Sequence, residues 1–169
     1  EIYYALEIFN DEGQKTTEMT RPLLEDGADS FVRFNNAISI LRKVRSFNEE
    51  SFEKIVSPRK PFGIEATDKI YEKEDVNLIP VFAYPKNGYI LKYNVRQNKE
   101  WINQYKVFIS KAYGERGEFP YFVLGKPFIG EKGTCCTETY LVIGANDDKA
   151  IVENIKNYMM TKFFRFFVL

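Results

Sequence analysis

Fifteen Phe, eleven Tyr and one Trp make up 16% of this 169-residue chain, and that load of rings is the strongest constraint on what it can become. A solvated, disordered tail does not hold so many aromatic side chains, so the chain must close around a core. At 44% hydrophobic it has the material for one ordinary globular domain. The apolar residues are dispersed, however. No run reaches the ~18 residues of a membrane span, and the best stretch, Phe163 to Leu169, is broken by Arg165. No segment reads as a secretory signal, and two adjacent cysteines make no disulfide framework. A cytoplasmic protein without membrane contact is expected. Histidine is absent, which removes Ser-His-Asp and Cys-His catalysis, His-ligated metals and histidine pH switches together.

Charge balances at 24 basic against 24 acidic residues, but unevenly. Residues 1–75 carry 11 against 16, a net of −5, and residues 76–169 carry 13 against 8, a net of +5. Most of the excess lies between Tyr84 and Lys132, where nine basic residues meet four acidic ones and eleven aromatics. Lys and Arg meet phosphates while flat rings stack on bases, so this interleaving points to a nucleic-acid surface. The competing reading is a strand-rich region whose outward positions are lysine, which the neutral overall balance supports. The sequence opens in an apolar run, Ile2 to Leu6, and closes on Phe166 to Leu169. Termini are usually polar, so a piece of a larger protein is expected.

Patterning predicts a mixed α+β domain spanning 1–169, with an antiparallel or mixed sheet, a Lys-rich hairpin and three to four flanking helices. Residues 2–9 read as a strand that returns near Lys15–Met19. Asn35-Asn36 caps a helix whose apolar positions are Ile38, Leu41 and Val44. Asn48 caps a short helix over Glu49–Val56, ended by Ser57-Pro58. Strands 78–84 and 89–95 flank Pro85-Lys86-Asn87-Gly88, a hairpin signal. A short helix near Lys99–Gln104 leads into the strand Lys106–Ser110. Tyr113–Glu118 is a loop, and 121–124 and 127–129 are short strands. Thr137–Ile143 is a strand ended by Gly144. Asp147-Asp148 opens a helix with Ile151, Ile155, Tyr158 and Met159 along one stripe, running on into Phe163–Phe167.

Catalytic signatures are missing. There is no phosphate-binding glycine loop, no strand followed by Gly-x-Gly-x-x-Gly and no Cys/His cluster for zinc. Cys135 and Cys136 are adjacent, so a strand would turn them to opposite faces, and core packing of one of them is the expected role. No Asp or Glu pair stands out as general acid and base. Alone, the chain is not expected to be an enzyme.

Several segments in order carry a resemblance: Ala37 to Val44, Ser57 to Gly63, Tyr105 to Ala112, Gly125-Lys126-Pro127, Cys136-Thr137-Glu138-Thr139-Tyr140, and Tyr158 to Phe166. Together, over roughly residues 30–169, they resemble the region after the catalytic domain in adenine-specific DNA methyltransferases of bacterial restriction–modification systems, the fused type II kind. Cys136–Tyr140 and Thr161–Phe166 are its most specific parts. The resemblance implies that an upstream domain binds S-adenosylmethionine and holds the flipped adenine with an Asn-Pro-Pro-Tyr-type motif, while this region reads the target. Neither motif occurs here; Asn77-Leu78-Ile79-Pro80 does not match. The chain is thus expected to hold no cofactor and to be a target-recognition domain, its partners being double-stranded DNA and the upstream domain. Phosphate contacts would position the duplex and base-edge contacts would read it.

The residues expected to do this start with Arg59 and Lys60, in a loop stiffened by Pro58 and Pro61. Lys92 and Arg96 are expected outward on the second hairpin strand, with Tyr93 turned the other way. Lys106, Ser110, Lys111 and Arg116 flank a loop containing Gly114 and Gly117. Thr137, Glu138 and Thr139 read either as a polar patch toward DNA or as internal hydrogen bonding at a strand start. Phe163, Phe164, Phe166 and Phe167 read as core or interdomain packing. The rival function is a protein-interaction or assembly module.

Overall fold

The computed structural model describes residues 3–9, 12–26, 31–32, 35–65, 67–111 and 124–168, and its class is mixed α+β, as expected. Contacts gather the chain into two compact units, residues 1–50 and 51–169.

In the first unit β1 (Tyr3–Phe9) pairs antiparallel with β2 (Lys15–Pro22), the expected return. The helix expected from Ile38, Leu41 and Val44 is α1 (Asn35–Ser46), with Ala37 and Ile38 buried. Arg21, at the end of β2, is buried and serves the unit itself. Its Nη1 donates to Glu25 at 3.1 Å, its Nε to Asn35 Oδ1 at 3.1 Å and its Nη2 to the Val32 carbonyl.

The second unit contains β3 (Leu78–Phe82), β4 (Gly88–Leu91), β5 (Tyr105–Ser110), β6 (Phe128–Gly130), β7 (Cys135–Cys136), β8 (Tyr140–Asn146), α2 (Lys149–Met159) and α3 (Lys162–Val168). One sheet has the order β4-β3-β7, with β3 and β4 forming the expected hairpin and β7 running parallel to β3. Asn87 closes the turn by accepting the Ala83 N–H on its Oδ1 at 3.0 Å. The other sheet, β6-β5-β8, is antiparallel throughout.

Strand β5 explains why the unit has two core clusters. Side chains alternate across a strand, and Lys106, Val107, Phe108 and Ile109 are all buried. Phe108 packs on one side with Phe62, Val81, Ile90, Val95, Cys135, Cys136 and Val142. Val107 and Ile109 pack on the other with Ile143 and with Val152 and Met159 of α2. Lys106 shares its face with Phe108, and the core that closes over that face takes in a lysine.

Local boundaries differ from expectation for identifiable reasons. The helix expected from Asn48 is a single 3-10 turn, Phe52–Ile55, capped by Ser51, whose hydroxyl accepts the Glu53 N–H at 3.3 Å. The returning hairpin strand stops at Leu91, and Lys92–Asn94 form a 3-10 turn. Ile90 and Val95 are five residues apart and would face opposite ways in a strand. Both are fully buried in one cluster, and the turn between them makes that possible. The strand expected at Thr137–Ile143 starts three residues later: after β7 ends at Cys136, a turn closes with the Tyr140 N–H on the Thr137 carbonyl at 3.2 Å, and β8 runs from Tyr140 through Gly144. Gly144 lies at φ 57, and a Cβ there would meet Ile155 Cδ1 at 2.3 Å. The last helix is broken after Met159, because Thr161 Oγ1 accepts the Phe164 N–H at 3.1 Å and opens a new helix. The expected 127–129 strand is β6, while the Tyr113–Glu118 loop and residues 121–123 lie outside the described residues.

Candidate nucleic-acid interface

The loop around Arg59 is fixed at both ends. Before it, Ser57 exchanges two hydrogen bonds with Val142 of β8, its N–H donating to the carbonyl at 2.8 Å and its Oγ accepting the amide at 2.9 Å. After it, Pro61 and Phe62 are buried, and the Pro61 carbonyl accepts from Asn98 Nδ2 at 2.7 Å. Lys60 lies at φ 58 and closes a turn in which its carbonyl accepts the Gly63 N–H at 2.9 Å. The stiffness expected from the prolines is therefore reinforced by tertiary bonds.

This loop meets the turn between β7 and β8. Arg59 Nη2 and Nε donate to the same carboxylate oxygen of Glu138, at 2.6 and 2.9 Å, across 79 residues of sequence. Arg59 remains 65% exposed in this pair, so solvent reaches it. The Arg59 guanidinium holds the Glu138 carboxyl below its ordinary pKa, with Lys60 and Lys111 adding attraction. Lys60 itself is paired with Glu65 at 2.5 Å. Lys111 is exposed, and its backbone N–H donates to the Thr139 carbonyl at 2.9 Å. Thr137 and Thr139 join hydroxyl to hydroxyl at 3.2 Å. Six residues singled out from separate parts of the sequence thus lie along one edge: Arg59, Lys60, Lys111, Thr137, Glu138 and Thr139. Ser110, just before Lys111, is half-buried at the end of β5.

The remaining candidates fall elsewhere. Lys106 is corrected: it is wholly buried, donating from Nζ to the carbonyls of Trp101, Gln104 and Ile102 at 2.7, 2.8 and 3.3 Å. It caps the end of the 3-10 helix Lys99–Asn103 and offers no charge to a phosphate. Desolvation lowers its pKa to about 8. The placement of Lys92 and Arg96 on a strand is corrected too. Arg96 forms a fork on Asp68 at 2.6 and 2.8 Å and donates to the Gly63 carbonyl at 2.8 Å, fastening the 63–68 segment. That fork holds the Asp68 carboxyl below its usual pKa. Lys92 is exposed on the 3-10 turn, and Tyr93, expected to turn the other way into the sheet, is 74% exposed beside it. Arg116 lies outside the described residues.

Sequence reasoning missed Lys99. Together with Asn77, Leu91, Lys92 and Tyr93 it lines an open depression of about 540 Å³. The available signal was the spacing Lys92-Tyr93 to Lys99 with Asn98, a left-handed position at φ 46, between them. Among the described residues no group of three His, Cys, Asp or Glu is placed to hold a metal ion. Comparison with protein-family models, curated proteins and solved structures finds no match. What stands is a mixed α+β chain with a cation-bearing edge built from a stiff loop and a strand-to-strand turn.

Proposed function

We propose that this chain is the DNA target-recognition domain of an adenine-specific DNA methyltransferase, contacting duplex DNA through Arg59, Lys60 and Lys111. The observation that supports this reading is the convergence of the Pro58–Pro61 loop with the Thr137–Thr139 turn, distant segments that meet at the Arg59–Glu138 pair. A phosphate oxygen can replace the Glu138 carboxylate on Arg59, because both are anionic acceptors for the same guanidinium edge. S-adenosylmethionine and the adenine pocket belong, on this reading, to an upstream domain of the parent protein.

Fluorescence anisotropy of a labelled duplex tests it. The purified chain should bind with an affinity on the order of 10⁻⁴–10⁻⁶ M at physiological salt, weakening steeply as salt rises. Arg59→Ala with Lys111→Glu should abolish that binding. The chain alone should transfer no methyl group from S-adenosylmethionine to any duplex. Salt-insensitive retention, or retention unaffected by the double change, overturns the reading. The rival assembly module draws on one observation: Tyr158, Phe163 and Phe167 of the last two helices, and Met160 between those helices, are exposed.

A further inference from the structure

Tyr93 is held out of the protein by its neighbours. It is the middle residue of a three-residue 3-10 turn, with Ile90 fully buried before it and Asn94 and Val95 buried after it. The turn is tied at its start by the Lys92 N–H on the Asn77 carbonyl at 3.2 Å and at its end by the Val95 N–H on the Lys92 carbonyl at 3.3 Å. An aromatic ring 74% exposed on so short and anchored a turn is presented with little backbone freedom to lose on binding. The depression it lines, at about 540 Å³, falls within the roughly 300–1,000 Å³ range of small-molecule sites. Its described lining combines the ring with two cations, Lys92 and Lys99, the amide-bearing Asn77 and the aliphatic Leu91, and contains no carboxylate. Neither lysine has an ion-pair partner among the described residues, unlike Arg59, Lys60 and Arg96.

We infer that this depression binds an unpaired nucleotide in single-stranded DNA, with the base stacked on Tyr93 and its phosphate at Lys92 and Lys99. A ring, a pair of unneutralised cations and a side-chain amide answer the three parts of a nucleotide: π-face, phosphate and base edge. A duplex gives a base to Tyr93 only at the cost of unpairing and unstacking it, so the site favours unpaired strand. The inference rests on the recognition reading only in choosing DNA over RNA.

The test uses the full chain and a labelled single-stranded DNA oligonucleotide followed by anisotropy. Tyr93→Ala should weaken binding about five- to a hundred-fold, the range of one lost base–aromatic stack, while Tyr93→Phe stays near the parent. Lys92→Ala and Lys99→Ala should each reduce the slope of log affinity against log salt by about 0.7, whereas Lys162→Ala on α3 should not. Circular dichroism establishes that each variant is folded. Unchanged affinity in folded Tyr93→Ala overturns the inference, as does a duplex that competes as well as the single strand. An RNA strand of the same sequence bound tenfold tighter overturns the assignment to DNA. Single-strand binding in a chain that ignores duplex would sink the recognition reading and leave the nucleotide site standing, with DNA against RNA decided by the strand comparison alone.

Discussion

Lys106 and the two cysteines make a small titrating group inside the second unit, and their effects on stability have opposite signs. Burial lowers the lysine pKa from 10.5 to about 8. Between those values the unfolded chain binds more protons than the folded one, so stability rises with pH. Burial raises Cys135 from 9.0 to about 12 and Cys136 well above its ordinary value. Above pH 9 the unfolded chain sheds thiol protons that the folded chain keeps, and stability falls. Urea midpoints should therefore climb from pH 8 toward 9 and decline beyond it. Lys106→Met should remove the climb, and replacing both cysteines with alanine should remove the decline; a parent profile flat from pH 8 to 10 contradicts both. At the interface the same scale applies to Glu138. Glu138→Gln removes the anion that competes with phosphate for Arg59, so duplex affinity should rise and the salt slope should steepen by about 0.9. Weaker duplex binding in that variant would mean that Glu138 positions Arg59 rather than masking it.

Elements in this protein end where side chains supply the missing bonds. The stripe Ile151, Ile155, Tyr158 and Met159 correctly announced a helix, yet periodicity continued past the point where Thr161 starts another. Thr161→Ala should cost about 1 kcal/mol in urea unfolding, the usual value of a lost hydroxyl cap, and should lower helical ellipticity. No change in either would show that packing of Phe164 against Phe52 and Tyr158, at 4.7 and 5.2 Å between ring centres, holds α3 without its cap. Gly144 is the converse case. Glycine reads as a strand end, but β8 passes through it because a glycine tolerates φ 57 and leaves room for Ile155. Gly144→Ala should destabilise by about 1–2 kcal/mol from backbone conformation alone. An unchanged urea midpoint would place the strain elsewhere.

At the scale of the molecule, the two core clusters draw only on residues beyond 50 among the described ones. Residues 51–169 should therefore fold alone, with one cooperative thermal transition and single-strand binding retained. A non-cooperative melt of that piece would overturn this expectation. Among the described residues no helix is long and apolar enough to cross a membrane. Local sequence by itself determined the hairpin at Asn87-Gly88, the helix at Ile38, Leu41 and Val44, the strand through Val107 to Ile109 and the stiffness of the Arg59 loop. In each, neighbouring residues supply the signal, through turn chemistry, a repeat of three or four, β-branching or proline. Only the tertiary structure decided which cations face solvent. Lys106, Arg96 and Lys92 look alike in sequence as basic residues among aromatics, but one is buried within strand β5, one is locked on Asp68 and one stands beside an exposed ring. The physical reason is that burial and pairing are set by segments far along the chain: Arg96 meets a carboxylate 28 residues away, and Lys106, enclosed in the core, is left to the nearby carbonyls of Trp101, Ile102 and Gln104.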